Sequence, residues 1–204
     1  MRNRFSWGIV LLLGLALFCV GCQVFGPYQY KGRVVDPPIV PPNFTLTRAD
    51  GQPFHLSDVR GDIALVYFGY TYCPDVCPLT MGKVKQALAG LDTGQKHIYV
   101  LFISVDPERD TPEVLSKYMA AFGPQFIGLR GDFDQVSQIM KPFGAFAEKQ
   151  PVNDPALGYL INHTAYVYLV NPQGQVVLIY PFEFTSDDLR SDLTYLLQQE
   201  NTKP

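Results

Sequence analysis

The order of apolar and polar residues along the chain predicts strands that alternate with helices. Two continuous apolar runs, over residues 63–68 and 98–105, are rich in β-branched and aromatic residues and predict strands buried on both faces. A shorter run over residues 125–129 predicts a third strand. Each run is followed by apolar residues at helical spacing. This alternation predicts an α/β layered domain.

Two pairs of short apolar runs predict hairpins at the two ends of that domain. The first pair, residues 44–46 and 53–56, flanks an Asp-Gly turn signal. The second pair, residues 165–170 and 176–180, precedes a final helix that begins at Ser186. The expected fold is therefore a central sheet flanked by helices, with an extra N-terminal hairpin.

The N-terminus has the order of an export signal. Two arginines precede an apolar run over residues 9–20, which is shorter than the ~20 residues of a spanning helix. The run ends in Gly-Cys and is similar to a bacterial lipoprotein processing site, which would make Cys22 the acylated first mature residue. Cys19 departs from that pattern, in which Leu is usual, and an uncleaved signal anchor is the alternative. Both interpretations predict a domain that is tethered to the cell membrane and faces the extracytoplasmic side.

Composition divides the rest of the chain and excludes several function classes. Residues 22–43 are rich in Tyr, Gly and Pro and predict a membrane-tethering linker, so residues 44–204 form the expected folded domain. Within it, the polar and proline-bearing residues 144–160 predict a mobile loop. Loss of residues 1–21 changes the formal net charge from −3 to −5, because they carry two arginines and no acidic residue. No basic patch indicates nucleic-acid binding, and 47% hydrophobic residues exclude a disordered chain.

Candidate chemistry is concentrated in a pair of cysteines. Cys73 and Cys77 are the only cysteines of the expected domain, and they lie where the strand over residues 63–68 gives way to a helix. The free N–H groups and the dipole of that helix favour thiolate over thiol. The spacing of four predicts both sulfurs on one helix face. Thioredoxin-like folds keep their redox centre at this position, and in an oxidising compartment an isolated cysteine pair predicts either a disulfide or a metal site.

One histidine is a candidate partner for the cysteine pair. His55 and His97 are interpreted as ordinary exposed or edge residues, whereas His163 directly precedes a strong apolar strand. The corresponding loop of thioredoxin-like enzymes faces the cysteines with a cis-proline, but here the nearest preceding proline is Pro155. Two thiolates and an imidazole suit both Cu(I) and Cu(II). The alternative is that His163 orients a dithiol as a general base.

Three motifs occur in order along the chain. They are Gly-Tyr-Thr-Tyr-Cys-Pro-Asp-Val-Cys-Pro over residues 69–78, Ser-Val-Asp-Pro-Glu-Arg-Asp-Thr-Pro over residues 104–112, and His163-Thr164 before a strand. With these motifs, the chain resembles the Sco/SenC family of copper-binding proteins involved in cytochrome c oxidase assembly, in its bacterial lipoprotein form. The likeness runs over nearly all of residues 44–200.

The resemblance implies that Cys73, Cys77 and His163 are copper ligands. It further implies an extracytoplasmic copper chaperone, expected to be a monomer, that metallates the dinuclear copper centre of a cytochrome c oxidase subunit. The alternative is a thiol–disulfide oxidoreductase that reduces the cysteines of that centre through Cys73 and Cys77. The family often has Asp before its histidine, where this chain has Asn162. A peroxidase fits the paired cysteines poorly, and a structural zinc site lacks a fourth ligand.

Several neighbours of the motifs receive structural interpretations. Asp75 is interpreted as a helix-start residue that satisfies backbone N–H groups. Asp106 and Arg109 are expected to shape a loop around the centre and not to act as ligands. Tyr70 and Tyr72 are expected to shield and pack the cysteine pair.

Overall fold

A computed structural model describes residues 26–94, 96–151 and 158–201, and its centre is an eight-stranded sheet. The strands are β1 (Arg33–Ile39), β2 (Thr45–Arg48), β3 (Pro53–His55), β4 (Ile63–Gly69), β5 (Ile98–Ser104), β6 (Phe126–Arg130), β7 (Ala147–Pro151), β8 (Tyr159–His163), β9 (Val167–Val170) and β10 (Val176–Tyr180). The helices are α1 (Val76–Leu88), α2 (Pro112–Ala120), α3 (Phe133–Met140) and α4 (Ser186–Asn201). This confirms the predicted α/β class.

The strand order in the sheet is β1-β10-β9-β4-β5-β6-β2-β3, and only β4, β5 and β6 run parallel to one another. All seven residues of β4 are buried, as its continuous apolar run predicts. Gly69 and Ser104 pair at the C-terminal ends of β4 and β5. We call the side of the sheet at which β4 and β5 end the cysteine edge, because the chain passes from Gly69 directly into the cysteine motif. The predicted hairpin of β2 and β3 is also confirmed.

Helix starts follow the capping residues of the sequence. The Thr111 hydroxyl accepts the Val114 N–H at 3.3 Å at the start of α2. The Asp132 carboxylate likewise accepts the Gln135 N–H at 2.7 Å at the start of α3. Such caps satisfy N–H groups that have no partner inside the helix. In the described ranges, no helix is both long and apolar enough to cross a membrane; the predicted export signal and Cys22 lie outside those ranges.

Part of the segment predicted as a linker belongs to the sheet. Residues 33–39 form β1, which pairs antiparallel with β10 at the edge of the sheet. The prolines of this segment led to the linker interpretation, but an edge strand tolerates proline because only one side of it must pair. The pairing is interrupted by an irregularity between Val34 and Ile39. The role of residues 22–43 in membrane attachment stays a prediction.

A buried carboxylate fastens the chain just before β1. Asp192 of α4 is fully buried and accepts hydrogen bonds from the hydroxyls of Tyr28 and Tyr180 at 2.7 and 2.8 Å. It also accepts the backbone N–H groups of Lys31 and Gly32, at 3.0 and 2.8 Å. The residues before β1 are therefore held against the last helix.

The prediction of a loop over residues 144–160 is wrong for the described part of that segment. Strands β7 and β8 form a separate two-stranded sheet, with Ala147 opposite His163 and Pro151 opposite Tyr159. The sequence did not predict this pairing, because β7 is largely exposed and its proline and polar residues show no alternating apolar pattern. Its consequence is that His163 ends a strand instead of standing in a loop.

Candidate metal centre

Three side chains with metal-binding atoms converge at the cysteine edge. Cys73 lies in the loop after β4, and Cys77 is the second residue of α1. Their Sγ atoms and a ring nitrogen of His163 all lie within 4.8 Å of one another, and both cysteines are free thiols. The structure thus brings together the three residues that sequence reasoning selected, from a loop, a helix and a hairpin.

The two sulfurs meet by a different route from the one predicted. The spacing of four implied a shared helix face, but α1 begins at Val76, so Cys73 lies outside the helix. The loop folds back and places Cys73, which is 8% exposed, over the fully buried Cys77. The order of exposure makes Cys73 the outer sulfur of the pair.

The orientation of the His163 ring follows from its hydrogen bonds. Its Nδ1 lies 3.4 Å from the carbonyl oxygen of Thr164. Its Nε2 lies 3.4 Å from the Cys77 Sγ. The ring is therefore turned with Nδ1 toward the backbone and Nε2 toward the sulfurs.

The two thiols have opposite protonation preferences. Hydrogen bonds from the Cys77 thiol, from His163 and from the backbone N–H groups of Asp75 and Cys77 lower the pKa of Cys73 to about 3. Burial, together with the neighbouring Cys73 charge, raises the pKa of Cys77 well above its ordinary value. The prediction that the helix start favours thiolate holds for Cys73 and fails for Cys77, because burial outweighs the helix N-terminus there.

Asp75 does not play the predicted capping role with its side chain. It occupies the N-cap position of α1, and its carbonyl oxygen accepts the Leu79 N–H at 3.3 Å. However, its side chain makes no capping hydrogen bond and is exposed. The backbone N–H of Asp75 contributes instead to the hydrogen bonds on Cys73.

Asp106 and Arg109, the charged pair of the second motif, join the cysteine loop to the hairpin that carries His163. Arg109 Nε donates to Asp106 at 2.5 Å, and its Nη1 donates to the Tyr159 carbonyl at 3.0 Å. The Tyr159 hydroxyl donates to the other oxygen of Asp106 at 2.7 Å. Asp106 is fully buried and Arg109 is partly exposed, so the carboxylate is the inner member of this network. Both residues shape the surroundings of the centre, as predicted, and neither belongs to the group of three converging residues.

A second buried carboxylate holds the start of the cysteine loop. Asp110 accepts the hydroxyl of Thr71 at 2.6 Å and the hydroxyl of Ser104 at 2.5 Å. The Thr71 N–H also donates to it at 3.1 Å. Burial raises the pKa of Asp110, while these hydrogen bonds oppose that rise. The last residue of β5 and the cysteine loop are thus fixed to the same side chain.

The two tyrosines of the first motif differ in exposure. Tyr70 is 2% exposed, its ring lies edge-on to His163 with centroids 5.7 Å apart, and its hydroxyl accepts the Ile161 N–H at 3.2 Å. It therefore packs and shields the centre, as predicted. Tyr72 is 51% exposed, and the guanidinium group of Arg109 lies over one face of its ring, 5.1 Å from the centroid. Its shielding role is therefore limited to the Arg109 side.

Sequence reasoning missed a contact from the buried strand itself. The hydroxyl of Tyr67, in β4, donates to the Cys77 Sγ at 3.6 Å. A tyrosine within an otherwise apolar buried run is a signal that its hydroxyl has a partner inside the fold. Nothing in the spacing identified that partner as a cysteine ten residues further on.

Several exposed apolar side chains lie close in sequence or strand pairing to the three converging residues. Six large hydrophobic side chains are exposed in the described part of the chain, and four of them lie near the centre in sequence or strand pairing. Tyr72 adjoins Cys73, Leu79 follows Cys77 by two residues, and the other two are Phe146 and Tyr166 on either side of the His163 hairpin. We call these four residues the apolar rim. The other histidines lie elsewhere: His55 bonds Thr45, and His97 is exposed.

The fold and the centre together define a class of protein. A parallel β4-β5-β6 core with free cysteines after its first strand is a thioredoxin-like arrangement, here with a histidine added to the pair. The SCO1/SenC family model matches residues 35–198, which is most of the chain. The chain belongs to the SCO1/SenC family.

Individual relatives agree with this assignment. The chain is 38% identical over 136 residues to the mitochondrial protein SCO2 of Saccharomyces cerevisiae, a match that covers 66% of this chain and 45% of the yeast protein. It therefore spans less than half the length of that relative. A copper-bound structure of Arabidopsis thaliana ScoI superposes with a TM-score of 0.72 and 29% identity, covering 78% of this chain and 99% of that one.

A third relative is BsSco, described as a member of the Sco family of cytochrome c oxidase assembly proteins with a disulfide switch. It superposes with a TM-score of 0.60 and 26% identity, covering 83% of this chain and 98% of that one. These likenesses confirm the thioredoxin-like fold. They also show that a solved relative of this chain holds copper.

Proposed function

We propose that this protein is a copper chaperone that binds copper through Cys73, Cys77 and His163 and delivers it to the dinuclear copper centre of cytochrome c oxidase. The observation that carries the proposal is the convergence of two sulfurs and one imidazole nitrogen within 4.8 Å. The copper-bound structure of the Arabidopsis relative supports it.

The donor set suits copper in both oxidation states. Soft thiolates favour Cu(I), and an imidazole nitrogen makes the same set acceptable to Cu(II). Cys73 is already a thiolate at neutral pH, because its pKa is lowered to about 3, so only Cys77 must lose a proton when the metal binds. The His163 Nε2 lies 3.4 Å from the Cys77 Sγ, so it is the ring nitrogen placed to coordinate.

Transfer to an acceptor protein requires an approach to this centre. Cys73 is 8% exposed and His163 is half-buried, and residues of the apolar rim adjoin both of them in sequence. Exposed apolar side chains beside a reactive centre are typical of a protein docking surface. An acceptor seated on the rim would bring its own thiolates to Cys73 first, since Cys77 is fully buried.

The partner is the copper-accepting subunit of the oxidase, and the protein acts as a monomer at the membrane. The description of the relative BsSco supports the link to oxidase assembly. Attachment would come from the N-terminus, through lipidation of Cys22, with the domain on the extracytoplasmic side. Globomycin, which blocks lipoprotein signal cleavage, should then cause accumulation of the unprocessed chain; unchanged processing would contradict lipidation.

A second function is supported by the free dithiol. The Cys73 thiolate and the adjacent Cys77 thiol are the two groups that a thiol–disulfide oxidoreductase uses. Cys73 would attack an oxidised acceptor, and Cys77 would then release the reduced acceptor while the pair becomes a disulfide. The disulfide switch described for BsSco supports this alternative.

Copper titration of a histidine variant tests the ligand set. Replacement of His163 by Ala should weaken Cu(II) binding while leaving dithiol–disulfide cycling largely intact, since no sulfur is removed. His97→Ala is the matched control, because His97 is exposed and outside the converging group. Equal Cu(II) affinity of the His163→Ala variant and the parent would contradict the proposal.

A transfer assay separates the two functions. Copper-loaded protein is mixed with the soluble domain of the oxidase subunit, whose cysteines are reduced beforehand. Appearance of the acceptor's dinuclear copper absorption supports the chaperone. Absence of transfer to the reduced acceptor, combined with reduction of an oxidised acceptor by the metal-free protein, would identify the reductase instead.

A further inference from the structure

One hydroxyl group lies inside the core directly behind the metal centre. Tyr67 is fully buried, and its hydroxyl donates to the Sγ of Cys77 at 3.6 Å. Cys77 is itself fully buried, so water does not compete for this hydrogen bond. Tyr67 approaches from β4, on the side of the sulfur away from solvent.

The packing around Tyr67 fixes where this hydroxyl lies. The ring stands perpendicular to the His163 ring with centroids 6.0 Å apart, and it packs against Phe102 at 5.9 Å. At Gly69, a Cβ atom would lie 2.6 Å from the Tyr67 ring and 3.1 Å from the Cys77 Sγ. Glycine at this position therefore leaves the space through which the tyrosine and the cysteine meet.

A neighbouring tyrosine provides a contrast within the same core. Tyr168 of β9 is also fully buried, but its hydroxyl has no hydrogen-bond partner among the described residues. Its ring packs against Phe68 and Phe143 and not against the ligand residues. Burial of a tyrosine next to β4 therefore does not by itself require a sulfur partner.

We propose that Tyr67 is a positioning residue whose hydroxyl holds the Cys77 sulfur and withdraws electron density from it, so that bound copper favours Cu(I) over Cu(II). The inference deepens the proposed function and depends on copper binding at this centre. A hydrogen bond to a cysteine sulfur is one of the means by which proteins set the potential of a copper–thiolate site. The same bond stabilises the reduced dithiol relative to the disulfide in the metal-free protein.

The test compares the full-length chain with its Tyr67→Phe variant, which loses the hydroxyl and keeps the ring. Loss of one hydrogen bond should shift the Cu(II)/Cu(I) equilibrium of the loaded protein toward Cu(II) about fivefold to tenfold. A tenfold shift corresponds to a potential about 59 mV lower. The sulfur-to-Cu(II) charge-transfer band should move to longer wavelength, because the sulfur becomes a better electron donor.

The metal-free protein gives a readout that does not depend on copper. Its dithiol–disulfide equilibrium, measured against glutathione, should shift about fivefold toward the disulfide in Tyr67→Phe. Tyr168→Phe is the matched control and should change neither equilibrium nor the absorption band. If the parent binds no copper, the proposed function fails, while the metal-free measurement still decides whether Tyr67 acts on Cys77.

Two results would overturn the inference. One is an unchanged dithiol–disulfide equilibrium together with an unchanged copper potential in Tyr67→Phe. The other is an equal shift in Tyr168→Phe, which would indicate a general packing effect. If Tyr67→Phe does not fold, NMR of the Cu(I)-loaded parent decides: a slowly exchanging Tyr67 hydroxyl proton with a cross-peak to the Cys77 β-protons supports the bond, and rapid exchange with water refutes it.

Discussion

The guanidinium group of Arg109 lies on the ring of Tyr159, with its Cζ 3.7 Å from the ring centroid, while its Nη1 donates to the carbonyl of the same residue. The contact joins the second sequence motif to the first residue of β8, the strand that ends at His163. Through these two contacts, Arg109 connects the loop after β5 with the strand that ends at His163.

Replacement of Arg109 by Ala should therefore weaken copper binding although Arg109 is not a ligand. The β7-β8 hairpin would lose its stacking contact and a charged hydrogen bond, so His163 would be held less firmly. Loss of a residue that orients a metal ligand typically lowers affinity about 10- to 100-fold. The measurement is a competitive Cu(II) titration against a chelator of known affinity.

Arg190→Ala provides the control for this experiment. Arg190 also makes two hydrogen bonds to backbone carbonyls, those of Gln86 and Ala89, but at the far end of α1 from the cysteines. An equal loss of affinity in both variants would show that the effect is global and not transmitted through the hairpin.

The unequal protonation of the two thiols has a direct chemical consequence. In the reduced, metal-free protein, iodoacetamide should alkylate Cys73 first at pH 7, because its pKa of about 3 keeps it a thiolate. Its rate should stay level from about pH 5 to 8, since the lowered pKa lies below that window. Cys77, with a raised pKa and no exposed surface, should react only upon unfolding. Peptide mass spectrometry after partial labelling measures the order, and first labelling at Cys77 would contradict it.

Gly69, at the end of β4, is packed so closely that even its replacement by alanine should lower the free energy of unfolding. Gly69→Ala would place a Cβ against the Tyr67 ring and 3.1 Å from the Cys77 Sγ. Overpacking of this kind lowers the free energy of unfolding by about 1 to 3 kcal/mol, and copper affinity should fall with it. Urea unfolding and copper titration measure the two effects.

The same substitution at Gly82 should act in the opposite direction. Gly82 lies within α1, and a Cβ there would meet no atom within 4 Å. Alanine should then raise the free energy of unfolding by about 0.5 to 1 kcal/mol through helix propensity. A loss of stability at Gly82 equal to that at Gly69 would contradict the packing argument.

The carboxylate of Asp192 should control the order of the segment before β1. Asp192→Asn removes an acceptor oxygen from buried donors and should lower the free energy of unfolding by about 3 kcal/mol. Hydrogen exchange should accelerate at the amides of Lys31 and Gly32, which donate to it. Asp187→Asn, on the exposed side of the same helix, is the control, and copper affinity should stay unchanged in both variants.

The sequence predicted best those parts whose signal is local. The apolar run of β4 and the Asp-Gly turn between β2 and β3 each act through neighbours in the chain, and both agree with the structure. The β7-β8 hairpin was not predicted from the sequence, because it is held by contacts between residues distant in the chain, such as Arg109 and Tyr159. The prolines of β1 were informative about extended backbone but not about whether that backbone pairs.

The candidate centre was predictable in its members and not in its electrostatics. The motif identified Cys73, Cys77 and His163, but the division into an outer thiolate and an inner thiol depends on burial under the fold. The hydroxyl of Tyr67 belongs to the same category, because its partner becomes a neighbour only when α1 packs on β4.

The path of β1 also determines how this domain stands relative to whatever holds its N-terminus. Arg33 pairs with Ile179, Ile179 with Tyr168, and Tyr168 with Val66, so β1 starts level with the middle of β4 and runs antiparallel to it. Three strand spacings separate β1 from β4 in the sheet, a distance of about 14 Å. Because β1 runs antiparallel to β4, the residues ahead of β1 approach the sheet from the side on which Cys73 and Cys77 follow β4, and a chain anchored ahead of β1 would be held on that side.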